Sequence, residues 1–221
     1  VDIERAVDAA FTQEFHGNIP HGGLAVINRE VIIHYLRQLV EIDRRQAPFS
    51  ILKLEEDVLQ PIPIKTLGIT TTIGGRVDRL DQISLPDGRQ QIRVIDYKTG
   101  SARLQSLKCV DDIFDSTRLS AHSDYYLQTL LYARIVSHSL QASMPVAPAL
   151  LFIQHTGTDY FNPILKFGSN DINDVATPDG DRFIRLLMEK VNEMFDPQTP
   201  FIPTTDIDRC RICPYAHLCK G

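Results

Sequence analysis

Apolar residues along the chain follow two rhythms, one of three to four residues and one of two. From Leu24 to Ile42 the positions Leu24, Ile27, Val31, Tyr35, Leu39 and Ile42 recur at helical spacing, forming the stripe of an amphipathic helix that ends before Pro48. Ile51 to Leu59 reads as a strand, punctuated by Pro61 and Pro63. Two β-rich stretches follow: Thr66 to Ile83, interrupted at Gly74 and Gly75, and Gln91 to Tyr97. Pro86, Asp87 and Gly88 between them form a turn signal, so a hairpin or meander is expected. Residues 101 to 122 lack periodicity and are expected to be irregular. Ser123 is placed to cap a helix running to about Leu140, with Leu127, Leu130, Leu131 and Ile135 facing a core. Ala149 to His155 and Tyr160 to Phe167 read as strands joined by a turn containing Gly157, and Asp181 to Phe195 as the last good helix. Pro197, Pro200 and Pro203 then lead extended chain into a cysteine cluster. The order helix, meander, helix, hairpin, helix predicts an α/β (α+β) fold with a central mixed β-sheet flanked by helices.

Composition narrows the setting. A chain of 221 residues makes one large domain, or one domain with a small appendage, and buries a sizeable core. The expected divisions are an N-terminal helical segment over 1–48, a core over 49–196 and a cysteine-rich tail over 197–221. No apolar run is long enough to span a membrane, and no signal-peptide pattern follows Val1, where Asp2, Glu4 and Arg5 crowd the start. The missing initiator Met leads to the expectation of a piece of a longer protein. A net charge of −5 excludes a protein that coats nucleic acid by sheer positive charge. A role in processing nucleic acid would need a local basic groove or neighbouring domains. Cys210, Cys213 and Cys219 cluster at the C-terminus while Cys109 stands apart. Such a terminal cluster suggests metal rather than disulfides, in a reducing, cytoplasmic setting.

The candidate chemistry lies in Gly75-Arg76-Val77-Asp78-Arg79-Leu80-Asp81 and in Val94-Ile95-Asp96-Tyr97-Lys98-Thr99-Gly100. Side chains of a strand alternate, so Asp96 and Lys98 share one face while Ile95 and Tyr97 take the other. Asp78 sits in the preceding strand, where pairing brings it close to Asp96. Two carboxylates beside a lysine among buried apolar residues are costly unless something compensates. A divalent cation does so, and Mg²⁺ needs only one or two carboxylates because it keeps several waters. Metal would acidify a bound water and neutralise phosphoryl oxygens, and the lysine would orient that water and stabilise developing charge. Taken alone, Asp-x-Lys is more often a plain salt bridge at a strand end.

In context these segments resemble the PD-(D/E)XK nuclease superfamily, and within it the RecB and AddB branch. That branch is marked by G-x-x-D-R-x-D, then by a strand reading hydrophobic-Asp-Tyr-Lys-Thr-Gly, then by Q-x-x-x-Y on the next helix, here Gln128 to Tyr132. The three ordered matches cover about residues 50 to 167. The resemblance implies a restriction-endonuclease-like core in which Asp78 and Asp96 bind Mg²⁺ or Mn²⁺, joined by the backbone carbonyl of Tyr97, with Lys98 as the catalytic lysine. Gln128 and Tyr132, four apart on one helical face, would reach toward the site or DNA, the alternative being a capping or core role. Glu55 either supports the metal site or is an exposed strand-edge residue. The branch usually carries a metal-binding His upstream of the first strand. His16, His21 and His34 sit in unconvincing contexts, so that ligand is expected before Val1. Cys210-x-x-Cys213-x5-Cys219 matches the C-terminal part of the branch's iron–sulfur signature, which implies a 4Fe-4S cluster in the full-length parent with the fourth Cys upstream. Zinc held by Cys213, Cys219 and His217 competes with it, and Cys109 reads by default as a buried small hydrophobe. The implied activity is metal-dependent DNA exonuclease chemistry in an AddB-type helicase–nuclease of double-strand-break repair. Its partners would be DNA, a helicase domain in the same chain and a second helicase–nuclease subunit. The other readings are a DNA-binding scaffold that has lost cleavage, and a stand-alone CRISPR-associated exonuclease.

Overall fold

A computed structural model of the chain describes residues 2–18, 22–100, 104, 106–115, 122–140, 144–154, 162–202, 204 and 207–219. It opens with a helix that the apolar rhythm did not announce, α1 (Ile3–Glu14), capped by the Asp2 carboxylate, which accepts from the Arg5 N–H. Helix α2 (Gly23–Gln46) is longer than its stripe. Asp8 of α1 takes a forked pair of hydrogen bonds from Arg29 of α2, and Arg37 reaches Glu4, so the two helices are clipped together along their polar flanks.

Four strands then build one sheet in the order β1 (Phe49–Ile64), β2 (Ile69–Ser84), β3 (Gln90–Lys98), β4 (Val146–Phe152). The first three form an antiparallel meander, and β4 lies parallel to β3, which makes the sheet mixed as expected. Two interruptions read from the sequence are absent. Strand β1 continues through Pro61 and Pro63, because at a sheet edge a missing N–H costs no ladder bond, and β2 runs straight through Gly74 and Gly75.

The segment expected to be irregular holds a 3₁₀ turn, Val110–Ile113. Helix α3 (Ser123–Ser139) follows, but Ser123 does not cap it. The cap is His122 in a left-handed conformation, φ 57°, and Ser123 is already buried inside the first turn. After β4, residues 155–161 (with His155, Gly157 and Tyr160) lie outside the described residues. The chain beyond them returns antiparallel along β4: Leu150 N–H donates to Pro163 and Leu165 N–H to Pro148. That return covers the edge of β4, all seven residues of which are buried. Two-residue strands β5 (Lys166–Phe167) and β6 (Asn170–Asp171) precede α4 (Pro178–Met194). Helix α4 starts earlier than expected, with Thr177 capping Gly180 N–H and Pro178 in its first turn. The tail expected to be extended carries two short helices, α5 (Ile207–Ile212) and α6 (Ala216–Cys219).

The sheet has two unlike faces. Ile92, Val94 and Leu80 point into the larger core with Leu130, Leu131, Ile135 and Phe183 of α3 and α4. Ile95, Ala149, Leu151 and Ile153 point the other way, onto Ile42, with Leu39 and Tyr35 alongside. Only the C-terminal half of the predicted α2 stripe meets this face. Leu24, Ile27 and Val31 stay exposed, because that end of α2 is flanked by α1 rather than by the sheet.

The α2 face also buries charge. Asp81 is 0% exposed and receives Arg93 through two hydrogen bonds of 2.8 and 2.7 Å. Arg79 Nη2 lies 3.0 Å from Asp81 Oδ2, and Arg79 Nη1 reaches both oxygens of Asp43 on α2. Arg93 also donates to Gln46, and the Arg79 guanidinium sits 4.9 Å over the Phe49 ring. Two arginines and two aspartates thus neutralise one another while tying α2 to β2 and β3. Asp81→Ala should leave two buried guanidinium groups without their shared partner and cost about 3–5 kcal/mol. Thermal denaturation checks this, with the exposed Asp57, paired with Arg76, as the control: Asp57→Ala should leave the midpoint nearly unchanged.

Candidate active site

Pairing between β2 and β3 runs from Ser84 opposite Gln90 to Arg79 opposite Ile95, and stops there. One residue further in the same register stand Asp78 and Asp96. At this point Asp78 leaves the ladder and offers its side chain in place of backbone: Tyr97 N–H donates to Asp78 Oδ2 at 2.6 Å. Asp96 continues the alternation of Ile92 and Val94 on the α3 face, and Asp78 stands close enough for its charge to act on Asp96. Lys98, two residues past Asp96, shares that face. Its Nζ is 2.5 Å from Asp96 Oδ2 and donates to Gln128 Oε1 at 3.2 Å.

Helix α3 supplies the opposite wall. Gln128 Nε2 donates to the Tyr132 hydroxyl at 3.4 Å, and Tyr132 packs against Gly75 of β2. A Cβ at Gly75 would lie 2.2 Å from the Tyr132 hydroxyl, and one at Gly74, where φ is 146°, would lie 2.0 Å from the Val58 carbonyl. The two glycines that looked like a strand break are where β2 must come close to β1 on one side and to α3 on the other. Gln128 and Tyr132 therefore meet Lys98 in a chain of hydrogen bonds. The structure brings Asp78, Asp96, Lys98, Gln128 and Tyr132 together.

Electrostatics single out Asp96, which is 6% exposed. Burial pushes its carboxyl above the usual carboxylate range; contact with Lys98 pulls it back, and the neighbouring Asp78 charge adds to the upward push. Beyond the Lys98 contact, Asp96 Oδ2 is buried without a hydrogen-bond partner. A shielded carboxylate oxygen beside a second carboxylate is a donor set that suits a hard divalent cation. Among the described residues no three His, Cys, Asp or Glu side chains cluster as a metal-binding group, so the fit rests on these two carboxylates with main chain and water.

Other predicted residues lie elsewhere or contribute differently. Glu55 falls opposite Asp78 in the β1–β2 register, but it is exposed, with a left-handed φ of 52° that few side chains adopt. His16 and His34 are exposed, and His21 lies outside the described residues. Cys109 is exposed, not a buried hydrophobe, because it precedes the 3₁₀ turn as extended chain at the surface. Cys210 is half-buried, Cys213, Cys219 and His217 are exposed, and these side chains do not converge on a metal-binding group among the described residues. As placed, they do not fit a cluster. Sequence reasoning overlooked that Arg79 and Asp81, inside the G-x-x-D-R-x-D segment, belong to the buried network on the far face. Alternation alone would have separated them from Asp78. It also passed over Tyr125, whose ring lies under Lys98 Nζ at 4.4 Å.

Asp96→Asn supplies a test of this electrostatic picture. A carboxyl that holds its proton more tightly in the fold than in the open chain stabilises the protein below its unfolded pKa, and that stability is lost as pH rises through the folded value. Near pH 7, then, metal-free Asp96→Asn should melt above the wild type in the presence of chelator. The gap should close as the medium is acidified below the ordinary carboxylate range. A lower midpoint for the variant at pH 7 would contradict the assignment.

The chain matches the model of the PD-(D/E)XK nuclease superfamily over residues 2–220. No curated protein matches it. Among the described residues no helix is long and apolar enough to cross a membrane. A match over nearly the whole chain, on a mixed sheet whose strand ends gather two aspartates and a lysine, places this chain in the PD-(D/E)XK nuclease superfamily.

Proposed function

We propose that this chain is a metal-dependent deoxyribonuclease domain that hydrolyses phosphodiester bonds at Asp78, Asp96 and Lys98. The observation that carries the reading is the buried Asp96 oxygen, which faces Lys98 and lies near the Asp78 carboxylate. Asp78, Asp96 and the Tyr97 carbonyl would hold Mg²⁺ or Mn²⁺, with Glu55 in support. When bound, the cation would acidify a water and neutralise charge on the phosphoryl oxygens. The chain's own groups do the rest. Tyr97 N–H fixes the Asp78 carboxylate, so that only its other oxygen is fully available. Lys98 Nζ, held by Gln128, stands where it can orient the attacking water and stabilise the charge that develops on the phosphate. Gln128 positions that lysine, and Tyr132, buried in the core, braces Gln128.

The segments Gly75 to Asp81, Ile95 to Gly100 and Gln128 to Tyr132 support a finer reading. On that reading the chain is the exonuclease domain of an AddB-type helicase–nuclease acting in double-strand-break repair, beside a helicase domain and a second helicase–nuclease subunit. Cys210, Cys213 and Cys219 would bind a 4Fe-4S cluster only with a further thiolate from elsewhere in such a protein, and no step of cleavage passes through them.

Incubating linear DNA with the protein and Mg²⁺ or Mn²⁺ tests the reading. Cleavage should require the cation, and Lys98→Ala or Asp96→Ala should each lower the rate by on the order of 10²-fold or more. Cutting by Lys98→Ala at the wild-type rate would exclude this mechanism.

A further inference from the structure

Lys98 depends on an acceptor that it cannot keep to itself. Its ion pair is with Asp96 Oδ2, at 2.5 Å. Apart from that contact the atom is buried without a hydrogen-bond partner, so a divalent cation held by this carboxylate would draw on the same charge. Cation and lysine compete for the same carboxylate, and like charge pushes them apart. Something neutral must then keep Nζ at the site. Two groups on α3 are placed to do this. One is Gln128 Oε1, at 3.2 Å. The other is the face of the Tyr125 ring, whose centre lies 4.4 Å from Nζ. Tyr125 and Gln128 are three apart, hence neighbours on the helix surface.

The Tyr125 ring is itself held. His122 stacks on it with ring centres 4.8 Å apart and planes 17° apart, and Phe152 of β4 meets it at 6.4 Å. The left-handed turn at His122, φ 57°, places that imidazole at the start of α3. Tyr125 is half-buried, so the contact with Lys98 is partly desolvated, where the attraction of a cation to a ring face is stronger than at an open surface.

We propose that Tyr125 is a further positioning residue for Lys98, beside Gln128: its ring face holds Nζ beside the reacting phosphate when Asp96 is shared with a divalent cation. The proposal rests on the nuclease reading and adds to it a group that touches neither metal nor DNA. Tyr125 acts through Lys98 alone. The aromatic ring is what counts, not the hydroxyl.

The test uses the full chain carrying ¹³C-labelled lysine, with the Lys98 ε-CH₂ resonance identified by its absence from Lys98→Arg. In the wild type this resonance should be shifted upfield by the ring, both without and with Mg²⁺. Tyr125→Phe should keep the shift, and Tyr125→Leu should lose it. In cleavage assays Tyr125→Leu should lower kcat roughly 3- to 30-fold, the range that such a contact supports, with KM for DNA unchanged. Tyr125→Phe should restore near-wild-type kcat. Loss of the upfield shift on adding Mg²⁺, or an unchanged kcat in Tyr125→Leu, would overturn this proposal and leave the nuclease reading intact. A wild type that shows the shift but cuts no DNA would overturn the nuclease reading, and the positioning role with it.

Discussion

Asp81 has no access to solvent and faces two arginines, so any slip between β2 and β3 would expose unpaired charge to a low-dielectric interior. A slip of one residue also turns every side chain to the other face of the sheet. The register is therefore fixed twice, by ionic pairing on the α2 side and by Leu80, Val94 and Ile92 on the α3 side. With Arg93 committed to the α2 face, alternation along β3 leaves Asp96 and Lys98 on the other, and the Tyr97 N–H ties Asp78 to that strand. The positions of the candidate catalytic groups thus follow from a network that takes no part in the chemistry. Asp43 and Gln46 extend the same constraint to the end of α2, holding that helix on the back of the site.

The two faces manage charge in different ways. Behind the sheet, two aspartates and two arginines balance one another's charge. In front, among the described residues, Asp96 pairs with Lys98, which also donates to Gln128, and Asp78 takes a main-chain N–H. Burial and like charge make that arrangement expensive in the absence of a cation, as the raised Asp96 carboxyl records. A fold keeps such an imbalance where a ligand relieves it. Gly75 of β2 contributes by letting Tyr132 approach the strand and reach Gln128.

Much of this was legible in the sequence because period-two alternation places side chains on faces directly. Asp96 and Lys98 had to point together, and the Pro86 to Gly88 turn made β2 and β3 neighbours. The helix stripe of α2 was visible too, yet its first half stays exposed, since periodicity shows which residues share a side and not what lies against that side. Helix α1 was missed because Asp2, Glu4, Arg5 and Asp8 dilute its apolar face. The prolines of β1 and the glycine pair of β2 were read by their usual behaviour, which an edge strand and a close approach of α3 override. His122 and Tyr125 escaped notice because a left-handed cap and a ring-to-lysine contact have no fixed spacing in sequence. Cys109 was read from the average burial of its residue type, and the 3₁₀ turn after it put it at the surface.

The proposed nuclease function requires Asp78 and Asp96 to share one cation beside Lys98. Crystals of the protein soaked in Mn²⁺ and measured at the manganese absorption edge would test it most directly. An anomalous peak is expected between the two carboxylates, within bonding distance of an oxygen from each and on the side of the sheet that carries Lys98. Manganese bound elsewhere on the protein, with these carboxylates vacant, would contradict it.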